Sequence, residues 1–143
     1  MRSILGIYAT AFLEFFARSA RASGITAYLI LGSLDRSPVD LTGLTPAEVF
    51  QRAQAASDSG DYRRALEYYE GFLAQPGADA QRAAWARYES ALLYHKLGDD
   101  DTALAKFDEL LALYEKDPTL PEGAKVLAAS VKAAILERRS KKS

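Results

Sequence analysis

Gly60-Asp61-Tyr62-Arg63-Arg64-Ala65-Leu66-Glu67-Tyr68-Tyr69-Glu70-Gly71-Phe72-Leu73 is echoed further along the chain. The echo is Gly98-Asp99-Asp100-Asp101-Thr102-Ala103-Leu104-Ala105-Lys106-Phe107-Asp108-Glu109-Leu110-Leu111, at one fixed offset throughout (98 minus 60). Gly, Asp, Ala, Leu and the final Leu coincide, and Tyr69 matches Phe107 as an aromatic. An echo at a fixed period is the mark of stacked supersecondary units, each too small to bury its own apolar face.

Each echo follows one helix-period segment and opens another, so the unit is helix, Gly-Asp turn, helix. Glycine suits the left-handed position that ends a helix. The aspartate after it can cap the N–H groups of the next. Ala65, Leu66, Tyr69, Phe72 and Leu73 then form one apolar stripe. Ala103, Leu104, Phe107, Leu110 and Leu111 repeat it, extended by Tyr114. The small alanine at the head of each stripe lets paired helices approach closely.

This pattern resembles the tetratricopeptide repeat family. The resemblance rests on Gly60, Asp61, Tyr62, Ala65 and Tyr69 in the first unit, and on Gly98, Asp99, Ala103 and Phe107 in the second. Two departures stand out. The family unit is about 34 residues, shorter than the offset seen here, so the surplus falls in the connection 74–82. In the second unit Asp100 replaces the aromatic after Gly-Asp. The resemblance implies an all-α solenoid of antiparallel helical hairpins, here two repeats plus a C-terminal capping helix over residues 45–143. An additional apolar segment precedes it.

Punctuation elsewhere agrees. Thr45-Pro46-Ala47-Glu48 has a Thr cap, Pro at the first helical position and Glu at the third, which is a capping box. Pro76-Gly77 cannot continue a helix, and Asp79 is a good cap for the next one, expected over about 80–97. Asp117-Pro118 is a stop. A last helix is expected from Pro121-Glu122 to about Arg139, with Leu127, Val131, Ala134 and Ile135 as its apolar stripe.

Residues 1–34 carry two apolar runs, Ile4 to Phe16 and Ile25 to Leu34. Neither reaches the roughly 20 residues of a bilayer-spanning helix. Three readings stand side by side. One is a secretory leader with Arg2 in front and Ala20-Arg21-Ala22 as the cleavage pattern, although Glu14 interrupts its apolar core. Another is an amphipathic helix, with Leu5, Tyr8, Phe12 and Phe15 on one face and Glu14, Arg18 and Arg21 on another. It would pack on the repeats or lie on a membrane surface. The third is a lipoprotein-like leader in which Ser33 stands where the lipid-bearing cysteine belongs. Residues 35–44 hold Ser37-Pro38 and Thr42-Gly43 and are expected to be a linker.

Composition narrows the chemistry. Of 143 residues, 49% are apolar and 26% charged, ordinary for a globular protein. A net charge of −1 disfavours nucleic-acid binding. With no cysteine there is no disulfide, thiolate nucleophile or thiolate zinc site, and the single histidine cannot build a multi-His metal site. His95 sits late in a helix with no nucleophile or metal-ligand partner in the pattern. Asp99-Asp100-Asp101 fits capping and dipole complementarity better than a calcium loop. Gly60 and Gly98 stand alone, so no phosphate loop is present. No catalytic, cofactor or metal site is expected.

The resemblance implies a protein-interaction scaffold in which the first helix of each unit lines a concave groove. Ala47, Phe50, Gln54, Ser57 and Asp58 then come from unit one. Trp85, Tyr88, Leu92, His95 and Lys96 come from unit two. The groove residues expected to meet a partner are Phe50, Gln54, Trp85, Tyr88, Leu92 and His95. Relatives that clamp a terminal carboxylate use Lys and Asn at the positions of Phe50, Tyr88, Gln54 and Leu92, so that ligand is not expected. The expected partner is another protein or peptide, with a membrane surface as a further partner through residues 1–34. The alternative is a self-associating adaptor whose groove is filled by its own or a neighbour's N-terminal segment. Resemblance to envelope-associated repeat proteins favours a bacterial cell-envelope or membrane-associated location and a role in envelope assembly. The cytoplasm is the alternative.

Overall fold

The computed structural model describes residues 37–143. The apolar runs of residues 1–34, and with them the leader, anchor and packing-helix readings, lie outside the described residues. Five helices follow among the described residues: α1 Pro46–Asp58, α2 Tyr62–Ala74, α3 Ala80–Lys96, α4 Asp100–Lys116 and α5 Glu122–Ser140. The unit is all-α, as the sequence implies.

Local chemistry sets the boundaries. Thr45 and Glu48 form a reciprocal capping box, the Glu48 carboxylate accepting from the Thr45 N–H at 2.7 Å and the Thr45 hydroxyl oxygen from the Glu48 N–H at 3.3 Å. At the end of α1, Gly60 takes φ +81°. Its N–H donates to Ser57 O at 3.0 Å, and the Asp61 N–H donates to Ala56 O at 2.9 Å. That pair of bonds is a Schellman ending, which satisfies the last carbonyls of the helix. Asp61 also caps α2, its carboxylate accepting from the Arg64 N–H at 3.3 Å. One residue closes a helix and opens the next, which is why the turn is so short.

The second turn repeats the first. Gly98 has φ +89°, its N–H bonds His95 O, and the Asp99 N–H bonds Tyr94 O. Asp99 then caps α4 through the Thr102 N–H at 3.1 Å. Asp79 caps α3 in the same way at 2.8 Å. Helix α5 begins behind Pro121 with no side-chain cap.

The helices pack in sequence, α1 on α2, α2 on α3, α3 on α4 and α4 on α5, and α3 also touches α5. Two cores result. The first gathers Val49, Ala53, Ala56, Ala65, Tyr68, Tyr69 and Phe72, together with Ala86 and Leu93 of α3. The second gathers Ala84, Tyr88 and Ala91 of α3 with Ala103, Phe107, Leu110 and Tyr114 of α4, closed by Leu120, Ala124, Ala128 and Ile135. Helix α3 feeds both cores, so it is apolar on two faces. Contacts recur at the sequence period: Phe50 meets Tyr69 edge-on at 5.5 Å, and Tyr88 meets Phe107 at 6.2 Å.

Two features differ from the sequence expectation. Of the stripe expected on α5, Leu127 (43% exposed) and Ala134 face water. The helix docks instead through Ala124, Ala128, half-buried Val131 and Ile135. The alanines allow a closer approach than Leu127 would, so the smaller-residue face wins. The stretch 39–44 is also not suspended in water. Val39, Leu41 and Leu44 pack on the first core, and the Val39 N–H donates to Glu67 Oε2 at 3.2 Å. Gly71, in the middle of α2, makes room for this strap, since a Cβ there would collide with Leu41 Cδ1.

Candidate interaction surface

The six residues expected to line a groove fall into different surroundings. Phe50 is half-buried, its ring edge-on to Tyr69 at 5.5 Å and to Phe72 at 5.4 Å. Gln54, one turn on, is exposed. Tyr88 is buried against Phe107. Trp85 is half-buried and edge-on to Tyr88 at 6.1 Å. Its indole lies over Gly123 of α5, where a Cβ would come within 3.2 Å of the ring. Leu92 is half-buried against the second core. His95 is half-buried, with Nδ1 2.5 Å from Asp100 Oδ1, which ties the end of α3 to the start of α4. Trp85, Tyr88 and Leu92 thus come together around the second core. Phe50 belongs to the first.

Several polar groups escaped the sequence reading because their partners are distant in the chain. Glu70 of α2 accepts from the Tyr94 hydroxyl at 2.8 Å and lies 3.8 Å from Lys106 Nζ. The Lys106 ammonium also sits 5.3 Å from the centre of the Tyr94 ring. Burial first, and then the bond to Glu70, push the Tyr94 hydroxyl up to about 12. The node therefore stays neutral at tyrosine and pins α2, α3 and α4 together. Lys96 stands 4.9 Å over the Tyr62 ring and joins the two units at their turns.

Glu89 of α3 is half-buried, and burial raises its carboxyl above the ordinary value. Lys96 opposes that shift and Asp58 adds to it. Ser90 is 1% exposed and its hydroxyl has no protein partner. It borders a cavity of about 20 Å³ shared with Leu73, Arg87, Lys106 and Glu109, room for a single water.

No group of three or more potential metal ligands gathers among the described residues. No helix among them is long and apolar enough to cross a membrane.

The stretch 86–121, which spans most of α3, the Gly98 turn and α4, matches the tetratricopeptide repeat family. The second unit is a tetratricopeptide-type helical repeat. The first unit, with the same turn, cap and aromatic contact one period earlier, stacks on it as such a repeat does. Comparison with curated proteins and with solved structures gave no match. Tetratricopeptide repeats are protein-interaction modules and are typically non-catalytic.

Proposed function

We propose that this chain is a non-catalytic docking module that holds a peptide or helix of another protein against the first helices of its two units. The observation that carries the reading is the tetratricopeptide-type repeat itself, with Phe50, Trp85, Leu92 and His95 on α1 and α3 only half-buried. Exposed Gln54 and Lys96 lie on the same two helices. Aromatic and aliphatic side chains held by a rigid scaffold bind with little ordering cost. Residues 1–34, with their apolar runs, favour action at a bacterial envelope or membrane surface.

A photo-crosslinking residue at Gln54, compared with one at exposed Ala112 of α4, tests the surface. Adducts with another protein are expected from position 54 and not from 112. Equal adducts from both, or none from 54, would remove the groove from the account.

A further inference from the structure

We propose that α5 carries a docking surface of its own that takes an amphipathic helix of another polypeptide. The occupant has a small residue followed by large apolar residues four and seven positions later, the pattern of α2 and α4. The repeat register leads to this surface. Phe50 of α1 packs on Tyr69 of α2, and one period on, Tyr88 of α3 packs on Phe107 of α4. The next member of that series is Val126 of α5, which is 57% exposed. Ala53 and Ala91 are fully buried where their paired helices cross, yet Ala129, the third in line, is exposed. Ala133 and Leu136 continue the same face, and both are exposed.

The opposite side of α5 keeps the same register. Tyr94 of α3 reaches Glu70 of α2, and one period later Lys132 of α5 reaches Asp108 of α4 at 2.5 Å. Ala86 and Leu93 of α3, which enter the preceding core, correspond to Ala124 and Val131 of α5, which do the same. Helix α5 is therefore seated as the first helix of a third unit, and its open face is the one on which α1 and α3 receive their partners. Leu136 stands where Gly60 and Gly98 turn the chain, and α5 runs on to Ser140. The chain does not fold back over this face within the described residues.

Size complementarity selects the occupant. In both complete hairpins the first helix offers an alanine and the second fills the space with large side chains, Tyr69 and Phe72 or Phe107 and Leu110. A second copy of α5 would set alanine against alanine. Alanine against alanine leaves the space that Tyr69 and Phe107 fill in the two hairpins empty. A helix of the α4 type fits instead.

The probe is therefore a helix-constrained synthetic peptide of residues 99–117, fluorescently labelled and titrated into the full 143-residue chain by anisotropy. Saturable binding is expected. It should weaken roughly tenfold or more when Ala129→Arg places a long cation in the contact, and similarly when the peptide carries Phe107→Ala. Gln54→Arg, in the groove, should leave binding unchanged, so this surface and the groove fail independently. Ala129 is exposed, so Ala129→Arg should keep the parent melting temperature. The proposal is overturned by absence of binding, or by binding that Ala129→Arg leaves intact, which would mean the peptide displaces α4 from its own hairpin. It is equally overturned if sedimentation shows a dimer that Ala129→Arg dissociates, since a second copy would then be the occupant.

Discussion

Replacing Gly98 by alanine isolates the turn on which the hairpins depend. The residue has φ +89°, and no atom lies within 4 Å of where a Cβ would stand. The substitution therefore meets no clash, and its cost is backbone conformation alone. Forcing an L-residue into left-handed space costs about 1–2 kcal/mol. Loss of glycine's freedom in the unfolded chain returns about 0.4–1 kcal/mol. The net expectation for Gly98→Ala is a destabilisation of about 1 kcal/mol, or a melting temperature lower by about 4–8 °C for a unit of this size. Asparagine tolerates left-handed geometry better than alanine, so Gly98→Asn should lose less. Gly60→Ala should resemble Gly98→Ala, because φ is +81° and its surroundings are equally open. Urea titration followed by circular dichroism, with the slope unchanged, reads all three. A Gly98→Ala protein more stable than the parent, or a Gly98→Asn protein less stable than Gly98→Ala, would refute the left-handed corner and the Schellman ending with it.

Phe107→Ala should cost about 3–5 kcal/mol, since the ring is fully buried in the second core, whereas Leu127→Ala, on the water-facing side of α5, should stay within about 0.5 kcal/mol; urea midpoints check both. Burial raises the folded Glu89 carboxyl above its ordinary 4.5, so the folded chain binds that proton more tightly than the unfolded one and Glu89 erodes stability as pH rises from 4.5 through the raised value. The stability gained by Glu89→Gln should therefore grow with pH across that window and then level off, and a gain that is constant between about pH 4 and pH 7 would exclude the mechanism.

Turns, caps and the stripes of α2 and α4 were legible because each depends on residues a few positions apart. Gly60-Asp61 and Thr45-Pro46-Ala47-Glu48 state their geometry locally. The docking face of α5 was not legible by periodicity, because the helix is rich in alanine and apolar on more than one side. Leu127 and Ala134 made as good a stripe on paper as Ala124, Ala128, Val131 and Ile135. Only the repeat register, carried through from Ala86 and Leu93, picks the right one. The strap 39–44 was hidden by its prolyl and glycyl neighbours, and the signal that could have found it is Gly71, a helix-interior glycine that needs a reason. For the expected groove residues, the sequence placed Trp85 and Tyr88 on α3. It did not show that α5 would lie across Trp85, since that contact joins residues a full repeat period apart.

The two ends of the stack are chemically unlike. At the first end, the positions of α1 that correspond to Ala86, Ser90 and Leu93 of α3 are Glu48, Arg52 and Ala55, all exposed. A carboxylate and a guanidinium stand where α3 buries an alanine and a serine, so that face is suited to water. At the other end, Val126, Ala129, Ala133 and Leu136 of α5 leave small and branched apolar groups in solvent. A solenoid whose units each bury the flank of the next needs a polar outer face wherever the stacking stops. Among the described residues, that face of α1 is polar and the open face of α5 is apolar. The two cores share α3, which contributes Ala86 and Leu93 to one and Tyr88 and Ala91 to the other. A helix seated on α5 would extend the second core and, through α3, stabilise the first.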